Sequence, residues 1–423
     1  MSRRPALRRR LGLAQVTLAG IGVILGAGVY ALVGPAAGLA GNALWLAFLL
    51  TAIVAGLTAY SYARVGSMRP KDSPEFQYTA LAFGPRVGFV AGWLMLAADL
   101  LAVATVALGF GGYLAHLTGV PVVVGALALL GLTGAVLLVG IGESVGLAIV
   151  LTVVEAVGLL FVVGIGLPAW GRVDLLEVPH GVSGLAGAAA LIFFAYLGFD
   201  ELGNFAEEMR DPERNLARAL YLSMTGATAI YLLVAISCVA VVDWHELSGS
   251  AAPLALVARR ALGPGAELAL SLVALAATAN TVLLLLVSAS RSVYGMAAAG
   301  ALPRRLAAVG RRAIPTVASL LVTAIAAALV LPGDLTRAAA LTDGAVLASF
   351  MLVNLSLPWL AASGATHTGW ARRAADVAVP GLAFLLCGWL LIHTGVASVT
   401  VAAGLAVVGY AVTWTTRARL GPD

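Results

Sequence analysis

Charge is what this chain lacks most. Of its 423 residues, charged side chains make up only 11%, against 61% hydrophobic, and the mean hydropathy is +1.00. A soluble domain is about a quarter charged, and a water-exposed surface cannot be built from so few charges. The chain therefore reads as a polytopic integral membrane protein. Lysine is reduced to the single Lys71, between Pro70 and Asp72. No GxxxxGK[ST] phosphate loop can form, which excludes an ATP-driven pump within this chain. The two cysteines, Cys238 and Cys387, stand far apart in apolar stretches. They support neither a disulfide framework nor a zinc site and read as small core residues. Five histidines without HxxxH or HExxH spacing argue against a metal centre, and no cofactor is implied.

What is abundant is apolar length and glycine. Glycine accounts for 49 residues, well above the usual ~7%, which fits close helix packing and unwound helix segments in a bilayer. A helix needs about 20 apolar residues to cross the hydrocarbon core. Twelve stretches qualify: about 12–34, 43–66, 88–115, 120–141, 145–168, 185–206, 216–242, 266–290, 315–331, 338–360, 377–394 and 396–415. They are too long, and alternate too little, for a membrane barrel. The basic N-terminus is followed by an apolar run too long for a signal peptide core, so it is expected to remain as the first span.

The net charge of +5 comes mainly from arginines near span ends, which speaks to orientation and not to nucleic acid. With both termini in the cytoplasm, 21 of the 25 basic residues fall in inner loops and 4 (Arg172, Arg259, Arg260 and Arg337) in outer ones. That asymmetry supports an even span count in the cytoplasmic membrane. The inner loop 67–87 is amphipathic enough for a helix lying at the interface. The outer loop 243–265 reads as a short capping helix.

Two spans look broken. Span 1 reads GIGVILGAGVYALVGP. Gly22 to Gly26 and Gly34 to Gly38 form a GxxxG packing pattern, but Gly26-Ala27-Gly28 removes side chains from consecutive positions. This suits an unwound stretch where backbone approaches a ligand. Span 6 reads LIFFAYLGFDELGNFAEEMRDPERN. Gly198 sits mid-span and is followed by Asp200 and Glu201, which a straight lipid-exposed helix would not carry. Asp211 and Pro212 are expected to cap and start the next helix. Two interrupted spans five apart indicate an inverted-repeat secondary transporter, with its site between them near the midplane. The fold expected is all-α: one transmembrane domain over 1–423, with repeats at 12–168 and 185–360 and two appended helices at 377–415.

These motifs resemble the amino acid–polyamine–organocation (APC) superfamily. GIGVILGAGVYALVG is similar to its first-helix signature and FFAYLGFDELGNFAEEMRDPERNLARAL to its sixth. ASRSVYGMAAAGALPRRL and FMLVNLSL resemble its segment after span 8 and its span 10. The resemblance covers about residues 11–360. It implies a LeuT-type fold and transport of amino acids or related amines. It places a substrate α-carboxylate at the amides of Gly26, Ala27 and Gly28, with the Ile24 carbonyl facing the amino group. Phe194 falls at the aromatic lid, with core packing as its alternative. Leu197 and Gly198 fall along the pocket, and Asp200 at an acidic position found in several members. A span-5 lysine of some members is replaced here by Glu155, so the lysine mechanism does not transfer directly. Ser288 or Ser290 supplies a nearby hydroxyl. The loop DSPEFQY lacks the usual double glycine.

Asp99, Glu155, Asp200 and Glu201 lie within spans with no mid-span lysine or arginine to balance them. A buried ionised carboxylate without a partner costs several kcal/mol. Glu155 and Asp99 are therefore candidates for proton or sodium coupling, with structural hydrogen bonding as the alternative. Glu207 and Glu208 read as cytoplasmic-end residues beside Arg210 and Arg214, and Asp343 as solvated near an outer end. The function expected is amino acid permeation by alternating access, driven by protons or by exchange. A polyamine or organic cation carrier is the alternative. A membrane enzyme lacks convergent catalytic groups, and a channel fits a broken helix pair less well.

Overall fold

The computed structural model describes residues 12–68, 74–139, 145–205, 209–298, 300, 302–310, 314–364 and 369–415. Glu207 and Glu208 lie outside them.

Sixteen α-helices form among the described residues. They are α1 (Leu13–Ile24), α2 (Gly28–Ala40), α3 (Leu44–Met68), α4 (Pro74–Phe83), α5 (Pro85–Thr118), α6 (Val122–Val139), α7 (Val145–Gly166) and α8 (Gly181–Ile192). The second half adds α9 (Pro212–Val241), α10 (Trp244–Ser248), α11 (Pro253–Leu262), α12 (Pro264–Ala298), α13 (Thr316–Val330), α14 (Leu335–Ala362), α15 (Trp370–His393) and α16 (Val396–Thr415). Five of them, α4, α5, α9, α11 and α12, begin on proline. The ring fixes φ for the first turn, and its missing N–H would have had no partner there. Gly119 ends α5 with φ +75°, a left-handed position that glycine takes without a Cβ clash.

By length and composition, nine of the described helical stretches can cross a membrane, and three shorter apolar helices accompany them. Their surfaces agree with a lipid setting. Leu132, Val157, Leu385 and Val407 on α6, α7, α15 and α16 are all more than half exposed, on faces that carry no charge to hold water. The centre is α5, which packs along α14, α12, α6 and α16, while α3 packs along α9 and α15. The loop 67–87, expected to hold a helix, contains α4, and the segment 243–265, expected to hold a short capping helix, forms α10 and α11.

Glycine sets how closely these helices approach. A Cβ on Gly22 would lie 2.5 Å from Thr152 of α7, and one on Gly20 would run into Ser223 of α9. Part of the glycine in span 1 is therefore packing, as the GxxxG spacing implied.

Two expectations need correction. Asp211 does occupy the N-cap of α9, with Pro212 at its first position, but φ is +51° and its side chain caps nothing. Asp343 is not solvated: it is fully buried on α14, because α5, α15 and α16 all pack around that helix.

Candidate substrate cavity

Span 1 is broken where the sequence places the break. α1 stops at Ile24, and α2 restarts at Gly28. Restarting a helix leaves its first amides without helical partners and aims the positive end of its dipole at the gap. Span 6 breaks in a different manner. α8 tightens into a 3-10 turn at Phe193–Tyr196, opens at Leu197 to Phe199, and resumes as a 3-10 segment at Asp200–Phe205. Gly198 has φ +108°, and a Cβ there would lie 2.7 Å from Val23. Only glycine meets both conditions. The Gly198 amide donates to Asp200 Oδ1 at 3.0 Å, so the carboxylate closes the turn that precedes it.

The two breaks are tied together by α9. The Tyr231 hydroxyl lies 2.5 Å from the Ile24 carbonyl oxygen and 2.9 Å from that of Ala195. One proton is available to two acceptors, and each carbonyl keeps a lone pair for another donor. The second tie is steric. A Cβ on Gly28 would lie 2.8 Å from the Ala195 Cα, so α2 rests against the span 6 break. Gly26 differs: its nearest atoms would be the Val23 carbonyl at 3.5 Å and the Thr281 hydroxyl at 3.9 Å. Protein packing leaves room for a side chain there.

A cavity of about 310 Å³ opens between the breaks. Ile24, Gly26, Ala27 and Gly28 line it from span 1, and Phe194, Leu197, Gly198 and Asp200 from span 6. Asp99 on α5, Glu155 on α7 and Ser288 on α12 complete the expected set. Ser290 does not line the cavity. It is buried, and its hydroxyl donates to the Val287 carbonyl at 2.9 Å. The wall also includes Glu201, Asn280 and Thr281. Asn280 and Thr281 escaped the sequence reading because an amide and a hydroxyl in an apolar helix carry no spacing signal.

The wall is acidic. Four carboxyl side chains line it, and among the described residues it has no lysine, arginine or histidine. Glu155 is 2% exposed, and its Oε1 has no hydrogen-bond partner. Its backbone carbonyl is taken by the Tyr30 hydroxyl at 2.8 Å, which fixes α7 against α2 but leaves the carboxyl group free. Groups of His, Cys, Asp and Glu able to hold a metal ion are absent among the described residues.

Residues 11–416 match the family described as amino acid permease. The chain belongs to that family, within the APC superfamily. It is a multi-pass membrane transporter and not an enzyme. An uncharacterised transporter of Mycobacterium tuberculosis is 34% identical over 96% of this chain and 90% of its own length. A branched-chain amino acid permease of Bacillus subtilis is 27% identical over 92% of this chain and 89% of its own. A vacuolar cationic amino acid transporter of Arabidopsis thaliana is 28% identical over 83% and 59%.

Proposed function

We propose that this permease moves an amino acid across the cytoplasmic membrane by alternating access, coupled to protons. It uses twelve spans, with both termini in the cytoplasm. Spans 1–5 and 6–10 form inverted repeats, and α15 and α16 are appended. α1 with α2 serves as span 1, and α8 with its two 3-10 segments as span 6.

The observation that carries this reading is the acidic cavity between two helix breaks. The substrate carboxylate docks at the amides around Gly26, Ala27 and Gly28, where the α2 dipole favours an anion. Its ammonium group faces the carbonyls left by the breaks, Ile24 among them, with Asp200 close by. Phe194, packed over Gly28, covers the substrate. Glu155 is the coupling residue, and Asp99 is the next candidate. An unpaired carboxyl group on the wall of a cavity that opens alternately to each side can load and release a proton, whereas a permanent charge there would be costly. Sodium is the competing coupling ion and would use the same carboxylate with Ser288.

Purified protein in proteoliposomes tests the reading. Counterflow of radiolabelled substrate should saturate, and an imposed inward proton gradient without sodium should drive accumulation. Relatives act on branched-chain and on cationic amino acids, so the panel should contain both, together with polyamines. Flux that does not saturate and shows no counterflow would indicate a channel.

A further inference from the structure

Helix α4 carries a carboxyl group that the cavity reading does not use. Glu75 stands in its first turn and is only 7% exposed. The Tyr62 hydroxyl of α3 donates to Glu75 Oε1 at 2.6 Å. Burying an acid on the polar side of an amphipathic helix is unusual, since a surface helix normally turns its charges to water. Here Pro74 and Glu75 are both buried, so the helix is turned with its acidic end inward.

What it turns toward is the Asp200–Phe205 segment of span 6, against which α4 packs. Tyr62 packs edge-on against Phe199 at 5.7 Å and against Phe350 of α14 at 5.6 Å. Phe199 immediately precedes Asp200, a cavity-wall residue. The Tyr62 hydroxyl lies within electrostatic reach of both Glu75 and Asp200. The other titratable groups facing Glu75 are Tyr78 on its own helix, Asp99 on α5 and Glu201 beside Asp200. All are acids or phenols. Independently of this cluster, Glu155 places an unpartnered buried carboxyl oxygen on the same cavity. The carboxyl groups thus extend from the cavity wall to the base of α4.

We propose that Glu75 is a second proton-exchange site, which trades a proton with Asp200 past the Tyr62 hydroxyl and connects the cavity to the cytoplasmic surface. This rests on the proton-coupled reading above. In the step, a protonated Asp200 gives its proton to the Glu75 carboxylate. One negative charge moves from Glu75 to Asp200; once Asp200 has taken a new proton from the cavity, Glu75 releases its own to water beneath α4. Two buried carboxylates within electrostatic reach of each other are costly to ionise together, so they hold at least one proton between them. Burial, reinforced by the Asp200 charge, pushes the Glu75 carboxyl up to about 8, where it can both take and give a proton near neutral pH.

Infrared difference spectroscopy on the full chain, titrated across neutral pH, reads the site without transport. Wild type should show a protonated-carboxyl band that disappears with a midpoint near 8. Glu75→Gln should remove this band. Asp200→Asn should lower its midpoint by about one unit or more, as expected for loss of a neighbouring like charge. Should Glu75→Gln fold poorly, Glu75→Asp should keep a titrating band at a shifted midpoint. A wild-type spectrum with no such band, or a band untouched by Glu75→Gln, overturns the assignment. In proteoliposomes Glu75→Gln should lower pH-driven uptake about tenfold or more relative to counterflow, since a positioned proton-transfer group commonly contributes at least that much. Equal losses in both overturn the exchange role. Wild type without pH-driven uptake would instead refute proton coupling, leaving the spectrum to decide whether Glu75 binds a proton.

Discussion

The Tyr231 hydroxyl lies 2.5 Å from the carbonyl oxygen of Ile24, the last residue of α1. Since it also reaches Ala195, one side chain on α9 holds the ends of both broken helices. Tyr231→Phe removes that donor and keeps the ring, which packs against Phe48 and Tyr196. Two buried carbonyls then lose a partner, at a cost of about 1–3 kcal/mol. The variant should melt at a lower temperature in a detergent thermal-shift assay and bind substrate more weakly. An unchanged melting temperature and affinity would mean that the breaks hold their shape without it.

Gly26 and Gly28 should separate binding from packing. A methyl group on Gly26 meets nothing closer than 3.5 Å in the protein, whereas one on Gly28 meets backbone at 2.8 Å. Gly26→Ala is therefore expected to fold with near wild-type stability and to lose substrate affinity, because the methyl fills the space a carboxylate needs. Gly28→Ala should lower stability as well. The check is a melting curve with and without substrate. Full affinity in folded Gly26→Ala would take the substrate away from this backbone.

Much of this site was legible before any coordinates. The Gly26-Ala27-Gly28 and Gly198 breaks are visible because consecutive missing side chains, or an acid following a mid-span glycine, contradict a lipid-facing helix. The packing role of Gly28 was not legible, since sequence cannot show that Ala195 would be its neighbour. Asp343 failed for a related reason. Its distance from a span end implied water, but burial depends on which helices surround α14. Glu75 was hidden in a loop that showed only the amphipathic pattern of an interfacial helix; the rotation of α4 about its axis buries it.

Orientation can be checked with single cysteines, since the native Cys238 and Cys387 are buried. His180 and Arg305 are both exposed. His180→Cys should react with an impermeant thiol reagent applied to intact cells, and Arg305→Cys only after the membrane is opened. Outside labelling at position 305 would refute the twelve-span orientation.

Stability should depend on pH through Glu75. Its carboxyl sits at about 8 in the folded protein against 4.5 for an ordinary glutamate. The folded state thus holds the proton more tightly than the unfolded state. The resulting stabilisation is fully present below about 4.5 and is lost as pH rises through about 8, because unfolding then releases a proton. The melting temperature of wild type should fall across that window more steeply than that of Glu75→Gln. Parallel slopes would mean that other groups set the pH dependence.

The sharpest test concerns Glu155. It lies on α7, well inside a 22-residue helix, on the wall of the cavity, with Oε1 buried and unpartnered. Tyr30 binds only its backbone carbonyl, so no neighbouring hydroxyl satisfies the carboxyl oxygen. A charge held there without compensation would cost several kcal/mol, and a proton or a cation is the means of removing it. Glu155→Gln copies the protonated form in shape but cannot release a proton. Helix packing is expected to survive, because the Tyr30 contact uses backbone. The variant should therefore bind substrate and exchange it across liposomes while losing accumulation driven by a pH gradient in sodium-free buffer. Accumulation at the wild-type level would remove Glu155 from coupling and move attention to Asp99, which faces the same cavity from α5. Sodium-driven uptake by wild type, with no response to pH, would make Glu155 a cation ligand, and Glu155→Gln should then weaken sodium dependence without changing the response to protons.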